Sequence, residues 1–85
     1  MKKITMYSGT PCSRCDEAKA LLKSKNIEFK EINLGEQRDK MNEMLQRSGC
    51  RRTVPQIFIG ETHVGGSDEL YALEKAGRLS SLLYF

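Results

Sequence analysis

Cys12 and Cys15, in the run TPCSRC at residues 10–15, set two thiols three positions apart with Ser13 and Arg14 between them. Two thiols at that spacing can carry disulfide exchange or supply half of a metal site. Exchange needs a thiolate, so a reactive cysteine must sit where negative charge is stabilised. A helix start offers that through unpartnered backbone N–H groups and the positive end of the macrodipole. Arg14 adds a permanent cation within reach of either sulfur, and the spacing lets Cys15 donate a hydrogen bond to Cys12. In such surroundings a thiol pKa of about 8.5 falls to roughly 3.5–7.5. Cys12, nearer the helix end and more exposed, is the expected nucleophile. Cys15, one turn deeper, is the expected resolving thiol that releases a mixed disulfide.

Zinc is the rival chemistry. A closed site wants four ligands, and Cys12, Cys15, Cys50 and His63 would supply three sulfurs and one nitrogen. Their spacing argues against it: there is no second close pair, and the strand carrying His63 would have to bend toward the helix terminus. We expect no metal there, with Cys50 an unpartnered loop cysteine and His63 a half-exposed strand residue. Chance pairing of two buried cysteines is the remaining alternative.

The elements that would position the pair are legible in the pattern. Residues 3–7 alternate, with Ile4 and Met6 on one face, and predict a strand ending at Ser8-Gly9. Ala18, Leu21 and Leu22 give residues 16–25 the apolar stripe of a helix. TPCSRC is therefore a strand-to-helix junction, with Thr10 the expected N-cap, Pro11 at the first helical position and Cys12 in the first turn. Residues 29–34 predict a second strand, parallel to the first through a right-handed crossover. Met41, Met44 and Leu45 predict a helix within residues 36–48, ended by Gly49. Residues 56–59 and 62–64 predict a hairpin turning at Gly60-Glu61. Residues 67–76 predict a last helix capped by Ser67 or Asp68 and closed by Gly77, with residues 79–85 a short apolar tail. The order β-α-β-α-β-β-α implies an α/β fold, a mixed four-stranded sheet with helices packed on it.

Composition narrows the function. With 85 residues the chain is expected to form one domain, 1–85, with one site. At 39% hydrophobic and 29% charged it has ordinary globular composition. A net charge of +3 with scattered basic residues points away from nucleic acid, while small anions remain plausible ligands. No stretch approaches the about 20 apolar residues of a membrane span. Three cysteines, an odd number, and an N-terminus without the apolar run of a signal peptide lead us to expect a reducing, cytoplasmic setting. There a close cysteine pair is more often catalytic or metal-binding than structural.

CSRC, TVPQIFIG and HVGGSDELYALEKAG, in this order and covering nearly all of the chain, resemble the glutaredoxins, specifically the small bacterial kind. The resemblance implies a thioredoxin-like fold with helices on both faces of the sheet. It also implies reduction of protein disulfides and glutathione mixed disulfides, with glutathione as co-substrate and glutathionylated or disulfide-bearing proteins as partners. In that family the peptide bond at Val54-Pro55 is cis, and the Val54 backbone pairs with the cysteine moiety of glutathione like an added strand. Gly65-Gly66-Ser67-Asp68 would open a helix whose bare N–H groups hold the γ-glutamyl carboxylate, while Asp68 holds its ammonium. Arg51 or Arg52 would meet the glycine carboxylate. The expected glutathione contacts are Arg14, Arg52, Thr53, Val54, Pro55, Gln56, Gly66, Ser67 and Asp68, in a monomer.

The chain departs from the family pattern in four places. A proline usually follows the first cysteine and an aromatic residue comes next, where this chain has Ser13-Arg14. Family members with serine there include some that hold a [2Fe–2S] cluster between two subunits with glutathione. A Cys12-ligated cluster in a dimer is therefore one alternative function, and a glutathione-independent electron donor of the same fold is another. The lysine often found just before the motif is replaced by Ser8-Gly9, so carboxylate binding must lean on Arg51, Arg52 or Gln56. Cys50 extends the loop before TVP, and Ser67 stands where close relatives carry a further cysteine.

Overall fold

The structure, a computed structural model, describes residues 2–84. Strand β1 (Ile4–Ser8) leads to helix α1 (Ser13–Ser24) and strand β2 (Phe29–Asn33). A 3-10 turn (Arg38–Lys40) enters helix α2 (Met41–Ser48), and strands β3 (Gln56–Ile59) and β4 (Thr62–Gly65) precede helices α3 (Ser67–Lys75) and α4 (Leu79–Tyr84). The strands lie in the order β2-β1-β3-β4, with β1 parallel to β2 and the other pairs antiparallel.

Alternation along the central strands builds two cores. Ile4 and Met6 of β1 and Ile57 and Ile59 of β3 face Ala18 and Leu22 of α1, Leu70 of α3, and Leu79 and Leu83 of α4. Tyr7, Ile32 and Phe58 point the other way and are covered by Met44 of α2 and by Leu34. Each fully buried large side chain contributes on the order of 1.5–3 kcal/mol through the area removed from water. Helices therefore cover both faces, as in the thioredoxin-like fold. On the α2 side the Tyr7 hydroxyl donates to Glu43 and accepts from Arg47 Nη1 at 3.0 Å. The Arg47 guanidinium lies 4.2 Å from the centre of the Phe58 ring, a cation–π contact that ties α2 to the sheet.

Three sequence expectations need correction. Helix α1 starts at Ser13 with Cys12 as its N-cap, because the Thr10 hydroxyl is already taken by Asn33 Nδ2 at 2.7 Å. Pro11 thus lies outside the helix. Helix α2 falls within the expected residues 36–48, beginning after the 3-10 turn and ending at Gly49 in the left-handed conformation, φ 72°. The cap of α3 is Gly66, one residue earlier than expected. The apolar tail is a helix, packed through Leu79 and Leu83 and tied to the chain start by the Lys2 N–H, which donates to the Leu83 carbonyl at 2.7 Å. The element order therefore has a fourth helix; Phe85, the last residue of that expected tail, lies outside the described residues. Among the described residues no helix is long and apolar enough to cross a membrane.

Candidate active site

Strand β1 delivers the chain to a short loop, residues 9–11, and the first residue after it is Cys12. Its backbone is extended, φ −159° and ψ 100°, and its sulfur accepts the Cys15 N–H at 3.0 Å. Cys12 and Cys15 are joined in a disulfide with their Cα atoms 5.3 Å apart. The two are not equivalent: Cys15 is 1% exposed beneath the helix, whereas Cys12 is only half-buried. Just ahead of the loop the Ser8 hydroxyl donates to Glu31 at 2.6 Å, and Lys19 pairs with the same oxygen at 3.0 Å. The Ser8 bond is the main reason that the Glu31 carboxyl sits below its ordinary pKa.

Beside Cys12 the loop of residues 49–55 approaches, and the Val54 carbonyl oxygen lies 3.9 Å from the Cys12 sulfur. The Thr10-Pro11 and Val54-Pro55 peptide bonds are both cis. From here a groove of about 270 Å³ runs to the start of α3, lined by Arg14, Arg51, Thr53, Val54, Pro55, Gly66, Ser67, Asp68 and Glu69. Two ion pairs border it: Arg14 with Asp68 at 2.5 Å and Arg51 with Glu69 at 3.4 Å. At the α3 end the first-turn N–H groups have no intrahelical carbonyl. The Ser67 hydroxyl, on a residue 2% exposed, has no hydrogen-bond partner among the described residues.

Glu69 was not among the expected residues. Its Oε1 accepts the Gly66 N–H at 2.7 Å and so holds the start of α3. The signal was present as an acidic residue three positions after the cap, the spacing of a capping box. It also explains Gly65, whose φ is 116° and where a Cβ would come within 2.3 Å of that oxygen.

The structure brings Arg14, Thr53, Val54, Pro55, Gly66, Ser67 and Asp68 to one groove, but Gln56 and Arg52 do not line it. Gln56 lies on the Phe58 face of β3 and is fully buried. Its Nε2 donates to Thr53 O at 3.0 Å and to Thr53 Oγ1 at 3.1 Å, and its Oε1 meets His63 Nε2 at 2.7 Å. It braces Thr53 from behind rather than facing a ligand. Arg52 is exposed, and its neighbour Arg51 takes the groove side. Burial, with Arg51 second, lowers the pKa of His63. Cys50 is a free, exposed thiol on the loop after α2. Among the described residues no three His, Cys, Asp or Glu side chains converge to hold a metal ion.

The glutaredoxin family model matches residues 4–64, which is most of the chain. The chain belongs to the glutaredoxin family. It is 47% identical to glutaredoxin 3 of Escherichia coli (strain K12) over 83 residues, 98% of this chain and 99% of that one. The solution structure of a glutaredoxin from Brucella melitensis is 51% identical, with a TM-score of 0.82 over 98% of this chain and 89% of the other. The crystal structure of a buckwheat glutaredoxin–glutathione complex is 30% identical, with a TM-score of 0.86 over 96% of this chain and 76% of the other. This glutaredoxin is a thiol–disulfide oxidoreductase, and the Cys12–Cys15 disulfide is the oxidised state of its redox pair.

Proposed function

We propose that this glutaredoxin reduces glutathione mixed disulfides and protein disulfides with glutathione lying in the groove, Cys12 as nucleophile and Cys15 as resolving thiol. One observation carries the reading: the Cys12 sulfur caps α1 beside the Val54 carbonyl, at 3.9 Å, while Cys15 is buried. An incoming disulfide meets Cys12 first. With a glutathione mixed disulfide, the Cys12 thiolate attacks the glutathione sulfur; a Cys12–glutathione disulfide forms, and the substrate thiolate leaves and takes a proton. A second glutathione thiolate then attacks that glutathione sulfur, giving glutathione disulfide and returning the Cys12 thiolate. With a protein disulfide, Cys15 attacks the Cys12 sulfur of the mixed disulfide, the substrate leaves as a dithiol, and the Cys12–Cys15 disulfide results. Two glutathione molecules then reduce that disulfide and become one glutathione disulfide.

The groove suits an extended tripeptide. The Val54 backbone is available to pair with the cysteinyl residue, and Thr53 and Pro55 flank it. The unpartnered Ser67 hydroxyl and the free N–H groups of α3 suit the γ-glutamyl carboxylate, with Asp68 beside them for the ammonium. Arg51, rather than Arg52 or Gln56, supplies the cation for the glycine carboxylate. We read the protein as a one-domain monomer at work in the cytoplasm. A [2Fe–2S] cluster does not fit the oxidised form, since the sulfur that would ligate it is bonded to Cys15.

The deciding experiment is glutathione-dependent reduction of a glutathionylated peptide by wild type, Cys12→Ser and Cys15→Ser. Turnover by wild type and Cys15→Ser but not by Cys12→Ser is expected. An inert wild type would overturn the reading.

A further inference from the structure

Arg14 and Asp68 lie 54 positions apart in sequence, in the first turns of α1 and α3. Their side chains nevertheless meet at the groove, Nη1 to Oδ1, at 2.5 Å. The two helices also meet in the apolar core, through Ala18 and Leu22 of α1 and Leu70 of α3, and both side chains of the ion pair remain exposed, 57% and 74%. A cation in the first turn of a helix also faces the unfavourable end of the macrodipole, so Arg14 gains by finding an acid elsewhere.

The pair stands where the γ-glutamyl end of glutathione would enter. That group carries an ammonium next to a carboxylate, and α3 offers two acids in its first turn. Glu69 is committed, its Oε1 taking the Gly66 N–H at 2.7 Å and facing Arg51 at 3.4 Å. Asp68 is the acid left for a ligand ammonium, and Arg14 already occupies it.

We infer that Arg14 is an internal stand-in for the substrate's ammonium, a latch on Asp68 that the γ-glutamyl group must displace and that thereby sets how strongly the enzyme selects for that ammonium. The inference rests on the glutathione reading above. Binding exchanges one ion pair for another, so the ammonium gains less than it would at a free Asp68. A proline-aromatic motif at positions 13 and 14 would have no such cation, so the latch belongs to the Ser13-Arg14 variant.

The test compares kcat/KM for a peptide carrying glutathione in mixed disulfide with kcat/KM for the same peptide carrying glutaryl-cysteinyl-glycine, which keeps the carboxylates and lacks the ammonium. Because any effect of Arg14 on Cys12 is common to both substrates, their ratio isolates recognition of the ammonium. The wild-type ratio is expected above one, and Arg14→Gln should raise it about two- to fivefold, the scale of an exposed ion pair. Arg14→Lys should keep the wild-type ratio, and Asp68→Asn should bring it close to one with or without Arg14. A ratio unchanged or lowered by Arg14→Gln overturns the latch while leaving the glutathione groove standing. A wild-type ratio of one overturns the latch together with the role of Asp68, and a wild type inert toward both substrates overturns the proposed function as well.

Discussion

The backbone N–H of Cys15 donates to the sulfur of Cys12 at 3.0 Å, so the accessible sulfur of the redox pair is also the cap of the helix that follows it. Reactivity and helix stability are therefore linked at one atom. Cys12→Ser and Cys12→Ala should both abolish turnover, yet they should differ in stability. Serine can take the Cys15 N–H and alanine cannot, so Cys12→Ala should unfold about 1 kcal/mol more easily under reducing conditions. Urea unfolding of the two reduced variants measures the difference, and equal midpoints would show that the cap bond adds nothing.

Gly65 and Glu69 are coupled in the same manner. A side chain at Gly65 has to adopt φ 116° and meets Glu69 Oε1 at 2.3 Å, displacing the carboxylate from the Gly66 N–H. The backbone alone should make Gly65→Ala cost about 1–3 kcal/mol. Losing the cap should add about 1 kcal/mol. With Glu69→Ala already in place the clash and the cap are both gone, so Gly65→Ala should cost less there than in wild type. Additive unfolding energies in this double-mutant cycle would refute the coupling.

The Tyr7 hydroxyl is shared by Glu43 and Arg47 under α2, and it gives stability a defined pH window. The Tyr7 hydrogen bond is the main cause holding the Glu43 carboxyl below its ordinary value of 4.5. Its contribution is therefore complete above that value and is lost as pH falls through the lowered one. Burial, then Glu43, raises Tyr7 above its ordinary 10.0, so the neutral phenol's contribution is complete below that pH and fades as pH rises through the raised value. Tyr7→Phe should cost about 1–3 kcal/mol near neutrality, as for a hydrogen bond to a charged group. It should also flatten the acid limb below pH 4.5. An acid limb as steep in the variant as in wild type would assign it to other carboxylates.

How much of this was legible in the chain differs from element to element. The alternation of Ile4 and Met6, the stripe of Ala18 and Leu22, and the Gly60-Glu61 turn carry enough local signal to give the sheet with helices packed on it, whereas packing on both of its faces followed from the glutaredoxin resemblance. The cap of α1 was misplaced by two residues because Thr10 has the right chemistry for a cap, and its diversion to Asn33, 23 positions away, is a tertiary fact. Helix α4 is too short to show a period, and its form depends on Leu79 and Leu83 entering a core built by other elements. Gln56 could have been read correctly from strand parity, since it shares a face with Phe58 and not with Ile57. Choosing Arg51 over Arg52 for the groove, or pairing Arg14 with Asp68, requires the loop and both helix starts in place.

His63 offers a test of the brace behind the groove. Gln56 spends its amide nitrogen on Thr53, so its oxygen must accept, and the neutral His63 ring donates from Nε2 at 2.7 Å while stacking on Phe58 at 4.8 Å. Burial, then Arg51, lowers the His63 pKa from 6.5. The neutral ring's contribution is therefore complete above pH 6.5 and is lost as pH falls through that value toward the lowered one. His63→Phe should remove this step from the stability profile. It should also leave the buried Gln56 oxygen unpartnered, costing about 1–3 kcal/mol at pH values where wild-type His63 is neutral. Because Thr53 is held by the same glutamine, the variant should also lower kcat/KM toward a glutathionylated peptide while leaving the Cys12–Cys15 pair able to form its disulfide. Unfolding profiles across the acid range check the first point. A variant with the wild-type slope would place the titration elsewhere, and unchanged kcat/KM would show that Thr53 does not depend on the brace.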